Sequence, residues 1–485
     1  MALTIVADQL FYGAEDVGWT LGGFALALLL ASLIAQPAMR RDRRAWAALG
    51  LATGFALLLL DAPGFVRWCL FWTALAVAVL SPRTAPGAGA ARWSLRIAYQ
   101  SVAGIIAPVL DVILLNRHLR PGNRPLAKSL LAVVPAAVGG LVFLGLFAAA
   151  NPVIGEVLGD LPAYELDTWR TLFALTVFVS TWMMLRPQWL RRRVRRTVQR
   201  PAIQPVWFGF SSIILALVVF NLVFALQNGL DIAFLWSGAR LPGHVTMADY
   251  AHRGAYTLIL TALLAGLFML VALRPGWADA QHRWMRRLVA AWVAQTLMLV
   301  ASSMLRTIDY VQSYSLTRLR IAALAWMVLV GVGLALVCWR LLRGKSGTWL
   351  VNRIALAMSL TVIGLSVVDL GAVAGEWNVT HAKEVGGAGV NLDVGYLVSL
   401  GDSALIPLVQ LSRHPLPPTL RDQVTEARNR IQSDLQSRQS HWRTWTWRGQ
   451  RRLDTALAMP APVPVRLVPP SSRIDARPAA RNMAP

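Results

Sequence analysis

Residues 221–270 read NLVFALQNGLDIAFLWSGARLPGHVTMADYAHRGAYTLILTALLAGLFML, and the reading of this stretch decides the fold. One apolar run ends in Asn, Gln and Asp, a link carrying Arg240, His252 and Arg253 follows, and a second apolar run begins at once. Two such runs joined by a charged, Trp-containing link are what a pair of bilayer-spanning helices presents at one membrane surface. The pattern recurs along the chain. Apolar residues make up 56% of the 485 positions, and a soluble multi-domain protein has no use for repeated uncharged runs of about 20 residues.

Apolar windows place spans near 19–36, 45–60, 65–80, 128–150, 168–186, 206–226, 254–273, 288–304, 318–339 and 350–370, ten in all. Alternate loops fall into two populations. Those at 36–44, 81–127, 187–205, 274–287 and 340–353 are rich in Lys and Arg, whereas the intervening loops hold only Arg240, Arg253 and Arg306. By the positive-inside rule the Arg-rich set is cytoplasmic, so both termini are expected outside a bacterial inner membrane that the chain crosses many times. The net charge of +23 then belongs to cytoplasmic loops, and no nucleic-acid partner is expected. The segment 97–115 is long enough to span but carries Pro108 and Asp111. Counting it as a span would put RRRVRR outside, so it reads as an interfacial or re-entrant helix on the cytoplasmic face. The acidic N-terminus lacks the basic region of a signal peptide and is expected to stay attached. Cys69 and Cys338 fall near opposite faces of the bilayer, which separates them too far for a disulfide.

The fold class is therefore all-α, a polytopic transmembrane helical bundle over 1–375 with interfacial helices and a flexible basic C-terminal tail. Beyond it, 376–411 reads as an extracytoplasmic interfacial segment in which Asp402 and Pro407 oppose a span and GGAG at 386–389 is a flexible loop. Within 412–459, Thr419 and Asp422 suggest a helix start. Leu420, Val424, Ile431 and Leu435 then form a narrow apolar stripe, suited to packing or to weak self-association. Trp442, Trp445 and Trp447 among Arg443, Arg448, Arg451 and Arg452 suit the headgroup level of a membrane, with Arg on lipid phosphate. The Pro-rich end, 460–485, reads as disordered.

Several segments together resemble a known family: LFAAANPVIGEV (146–157), FALQNGLDIAFLWSGARLP (224–242), MADYAHRGAY (247–256), SYSLTRLRIAALAWM (313–327) and NLDVGYLVSLGDSALIPL (391–408). They are similar to the bacterial integral membrane proteins grouped as the domain of unknown function 4173, related to 4153. The similarity runs over about 100–410, with YAHRGAY as its most specific block. It implies a multi-span membrane domain and brings no activity with it.

No metal-ligand spacing occurs among the His and Cys, and no phosphate-binding glycine loop or nucleophile elbow is present, so no catalytic residue, metal or cofactor is expected. What remains is a set of polar residues that this topology gathers at the outer face. Asp231 closes span six, and His252 and Arg253 open span seven. Arg306, Asp309, Tyr310 and Tyr314 fill the loop before span nine, Arg318 and Arg320 start that span, and Asp369 ends span ten. These residues either tie the helix ends together through ion pairs or, with Arg253, Arg306, Arg318 and Arg320 converging, surround an anionic ligand such as a lipid headgroup. The corresponding roles are a non-enzymatic regulatory, assembly or scaffold protein, a transporter or permease for a small or anionic solute, and, third, a lipid-modifying membrane enzyme. Membrane lipids, chiefly anionic ones, and a membrane-protein partner or a second copy of the chain are the expected partners.

Overall fold

The computed structural model of the protein describes residues 1–14, 16–118, 168–187, 210–237 and 283–459. Among these residues there are fifteen α-helices and no strand. In the first half run α1 (Ala2–Phe11), α2 (Thr20–Ala35), α3 (Arg43–Asp61), α4 (Phe65–Leu80), α5 (Ala90–His118) and α6 (Thr168–Leu185). Then come α7 (Phe210–Asp231), α8 (Arg283–Tyr314), α9 (Arg318–Arg343) and α10 (Gly347–Val367). Six helices among the described residues are long and apolar enough to cross a membrane: α3, α4, α7 with its continuation to Trp236, α8, α9 and α10. They fall on six of the windows read from the sequence. The windows 19–36 and 168–186 coincide with the shorter apolar helices Thr20–Ala35 and Trp169–Leu185. The windows 128–150 and 254–273, and the tail 460–485, lie outside the described residues.

Local chemistry sets the helix ends. Asp42 caps α3 by accepting from the Arg44 backbone N–H at 2.9 Å, and the Arg44 guanidinium returns to the same carboxylate. That guanidinium holds the Asp42 carboxyl below the usual carboxylate range. A carboxyl lowered on folding contributes stability that is present above its unfolded value and lost as the pH falls through the lowered one, so the cap is fully formed at neutral pH. Between α9 and α10 the chain reverses in three residues because Gly344 takes a left-handed φ of +61° and Ser346 caps the next helix at the Trp349 N–H. The close crossing of α2 on α3 depends on Gly22, where a Cβ would lie 2.6 Å from the Leu60 nitrogen and 2.8 Å from the Ala56 oxygen.

Two faces can be traced through hydrogen bonds. Arg83 at the end of α4 donates to Gln36 after α2, and Gln36 donates to Leu185 O at the end of α6, so those three ends share one side. The Ala90 N–H donates to Asn352 at the start of α10, and Arg286 at the start of α8 donates to Leu342 O at the end of α9. We call this side the basic face. On the opposite side Arg67, at the start of α4, donates to Ser366 O at the end of α10 at 2.8 Å. The helix α5 keeps to the basic side: beyond Ala90 its Gln100 donates to Met183 O, and its Asp111 accepts from Trp182 and faces Arg186 at 3.6 Å. Its contacts at Ala90, Gln100 and Asp111 thus lie toward one face.

The remaining helices, α11 (Leu370–His381), α12 (Val394–Ser399), α13 (Leu405–Leu411), α14 (Pro418–Ser440) and α15 (Trp447–Ala458), form a cap on the side opposite the basic face. It has its own core, in which Leu397, Leu405, Leu408, Leu411, Val424 and Leu435 are wholly buried. The stripe on α14 is therefore spent on packing within the cap, not on self-association. Pro418 rather than Thr419 opens α14, since a proline lacks the N–H that a first helical residue leaves unbonded anyway. The 391–411 segment is cap core instead of a helix lying on the membrane, and it breaks at Gly401, whose φ is +61°. GGAG is equally fixed: the Gly387 and Gly389 N–H groups bond Ala382 O and His381 O at 2.9 and 2.8 Å, closing the end of α11.

Candidate functional site

Asp369, expected to end span ten, is the N-cap of α11, and its Oδ1 accepts from the Gly371 and Ala372 N–H groups at 3.1 Å. That position makes its carboxylate the acceptor for a group of side chains from distant parts of the chain. Ser403 Oγ donates to it at 3.1 Å, Arg452 of α15 forms an ion pair with it, and Arg448 lies 3.8 Å away. Arg448 and Arg451 each reach Asp61, the last residue of α3, at 2.5 Å. Arg452 also donates to Ser403 Oγ at 3.3 Å. From the start of α9, Arg318 donates to Leu400 O at 2.7 Å and to Ser403 Oγ at 3.5 Å, while its backbone N–H donates to the Tyr396 hydroxyl at 3.0 Å. A methyl group at Gly371 would fall on the Arg318 guanidinium, so only glycine leaves it room. Buried Arg67 fills its donors with backbone carbonyls of Ser366, Leu58 and Ala62.

The outcome is five arginines, Arg67, Arg318, Arg448, Arg451 and Arg452, around the carboxylates of Asp61 and Asp369. Positive charge is in excess. Burial lowers the Arg452 guanidinium to about 10; Asp61 opposes that shift, and Arg318 and Arg67 add to it as like charges. Arg452 stays protonated at neutral pH, in surroundings that carry more cation than anion.

The other residues singled out in the sequence go elsewhere. Asp231 on α7 and Arg306 on α8 form an ion pair in which the side chains are 0% and 3% exposed, with Gln227 donating to the same Asp231 oxygen at 2.9 Å. Arg306, Asp309, Tyr310 and Tyr314 are not a loop: α8 continues through all of them to Tyr314, because the polar residues on its inner side find partners there. Arg320 turns back to the carbonyls of Tyr314 and Ser315 and stacks over the Tyr310 ring at 4.5 Å. Those contacts, with Asn378 bonding both the N–H and the carbonyl of Leu316, hold Ser315 at a φ of +69°, where a serine is strained. His252 and Arg253 lie outside the described residues. Arg306, Arg318 and Arg320 thus serve three different sites, and Asp369 shares one only with Arg318.

Asp231 and Arg306 terminate a polar seam between α7 and α8. Asn221 donates to Leu288 O and Asn228 to Gln295 O, at 3.1 and 3.2 Å, and Gln295 donates to Asn221 at 3.1 Å. Trp236 donates to Ser302 Oγ at 3.1 Å. The partners keep a nearly constant sequence offset, so α7 and α8 run parallel. Asn221 and Asn228, and Gln295 and Ser302, recur every seven residues on the facing sides, the positions at which polar groups fix the register of parallel helices.

Sequence reading missed Arg67, Asp61 and Ser403 and gave Arg448, Arg451 and Arg452 to lipid phosphate. In the structure all three pair with protein carboxylates, Arg448 and Arg451 with Asp61 and Arg452 with Asp369, and Arg451 stays largely exposed. The available signal was the pair of blocks 313–327 and 391–408, which meet where Arg318 touches Tyr396, Leu400 and Ser403.

Fold and site together define an all-α, multi-pass membrane protein with an arginine-rich helical cap. The chain belongs to the family described as Domain of unknown function (DUF4153), whose pattern matches residues 17–411. The match is to this family and not to 4173, which the sequence blocks brought forward first. It ends before α14 and α15, so Asp61, Asp369, Arg318 and Ser403 lie inside it and Arg448, Arg451 and Arg452 beyond it. No curated protein and no solved structure shows a significant match to the chain.

Proposed function

We propose that this is a non-enzymatic membrane protein with a regulatory, assembly or scaffold role, whose cap holds an anionic group at the Arg318–Arg452 cluster. The observation that carries this reading is the charge imbalance: a buried or half-buried guanidinium group in excess of its carboxylates is stabilised by an added anion, and guanidinium forks suit phosphate and carboxylate alike. Inorganic phosphate is expected to raise the Tm of the detergent-solubilised protein, because a ligand bound only by the folded form stabilises it by mass action. Arg318→Gln, which leaves the Arg452–Asp369 pair in place, should remove at least half of that rise. An equal rise in the variant, or none in the wild type, defeats the reading.

By the positive-inside rule the basic face is placed in the cytoplasm and the cap outside, in an inner membrane. Alkaline phosphatase fused to the C-terminus should then be active and a fluorescent-protein fusion dark; the reverse pattern overturns the orientation. The seam between α7 and α8 favours a second reading, a permease. In it the amide oxygens Asn228 Oδ1 and Gln295 Oε1 are buried without hydrogen-bond partners near the middle of the span, where a passing solute would find acceptors. Solute uptake by proteoliposomes that is lost on Asn228→Leu would move the assignment to transport.

A further inference from the structure

A groove of about 1000 Å³ lies between α1, α2, α4, α5 and α6. Its wall is a continuous aromatic series: Phe11 packs edge-on against Phe24, Phe24 stacks with Trp68 at 6.4 Å, and Trp68 lies against Trp72 at 5.6 Å, with Phe173 opposite on α6. At the cap-side end it is lined by Asp16, Pro63 and Gly64, which we take as its mouth, and toward the basic face by Ile97, Ser101 and Thr181. Along α4 the lining runs from Gly64 to Thr73, which at 1.5 Å per residue is about 13 Å. One leaflet of the hydrocarbon core is about 15 Å deep. The groove therefore has the depth of a single leaflet and the surface of a hydrocarbon site.

The chemistry at the mouth is of another kind. Pro63 follows Asp61 by two residues, and Asp61 carries Arg448 and Arg451. Arg451 is only partly used there: its side chain is 62% exposed. Trp442 and Trp447 stand exposed beside the same segment, whose backbone bonds Gly18 and Trp19 at the start of α2. Tryptophan at this level, arginine beside it and an aromatic groove below match the three zones of a phospholipid.

We propose that the groove holds an acyl chain of an anionic phospholipid drawn from the cap-side leaflet, with its phosphate on Arg451. The proposal rests on the anion reading of the cap and adds the source of the anion. The exposed Arg451 guanidinium selects anionic over zwitterionic lipid, beside a lining in which Asp16, the one charged residue among the described residues, faces Arg438 at 4.0 Å, and the depth selects a lipid over a free anion.

The probe is dioleoyl phosphatidylglycerol, with dioleoyl phosphatidylcholine as control. In native mass spectrometry the wild type should retain the anionic lipid at least tenfold better than the zwitterionic one. Filling the groove with Thr176→Trp and Ser180→Phe should cut that retention at least tenfold and leave the phosphate-induced Tm rise intact, while Arg451→Gln should lower retention of the anionic lipid alone. A second measurement needs no change to the walls. Cys69 lines the groove, so in a Cys338→Ser background its alkylation should slow severalfold with the anionic lipid and not with the control. Unchanged retention in the filled variant, or unprotected Cys69, overturns the proposal. A persisting phosphate response would then leave the cap site standing, whereas its loss in the wild type would remove the anion reading itself.

Discussion

Arg306→Ala is expected to destabilise the protein by about 3 to 5 kcal/mol, the range for removing one partner of a buried ion pair. Arg306 lies 19 residues beyond Arg287, the last of the arginines at the basic-face start of α8. At 1.5 Å per residue that is about 28 Å, the far edge of the hydrocarbon core. Asp231, wholly buried, would keep Gln227 as a hydrogen-bond donor and lose the guanidinium that neutralises it. The pair, by contrast, is worth little over an apolar replacement of like volume. Asp231→Leu with Arg306→Met should therefore restore most of the loss. Unfolding in mixed detergent micelles checks both variants, and a single variant as mild as the double one would show that the ion pair is solvated after all.

The same residue shows where the sequence was legible. The apolar windows located every described crossing helix, because a run of about 20 apolar residues has few alternatives. The windows 206–226 and 288–304 stop too early, short of Gln227 and of Arg306, since a hydropathy window ends where amides and charges gather. The helices do not end there: α8 runs on to Tyr314 and α7 to Asp231. Inside a bundle, polar residues at heptad spacing face one another and satisfy their own hydrogen bonds. The seven-residue recurrence of Asn221 with Asn228 and of Gln295 with Ser302 is present in the sequence, and taken as register it carries both helices through. The cap site was legible only in part. Asp369 and Arg318 stood out, but their partners did not. Asp61 and Arg451 are 390 positions apart, and no local pattern in one sequence joins them. Arginine beside tryptophan reads as a lipid anchor, and nothing local shows that Arg448, Arg451 and Arg452 also pair with carboxylates of distant helices.

The second large effect is expected at Asp369. Asp369→Ala removes the cap of α11, worth about 1 kcal/mol. It also leaves Arg452, whose side chain is 14% exposed, without its carboxylate, so the total should reach about 3 to 5 kcal/mol. Asp369→Asn separates the two contributions, because an amide oxygen still accepts from Gly371 and Ala372 while the charge is gone. Both variants should loosen α15 on the spans, seen as faster amide exchange over 447–458, with the alanine variant the less stable of the pair. Phosphate distinguishes a structural latch from an anion site. If the arginines only clamp the cap, either substitution weakens every response of the protein to added anions. If they hold an anion, Asp369→Asn raises the excess of positive charge at the cluster, and phosphate should bind more tightly and slow the exchange of α15 back toward the wild-type rate. Amide exchange measured with and without phosphate reads the sign directly, and exchange over 447–458 that is the same in wild type and Asp369→Asn would mean that the Arg452–Asp369 pair does not hold α15 in place.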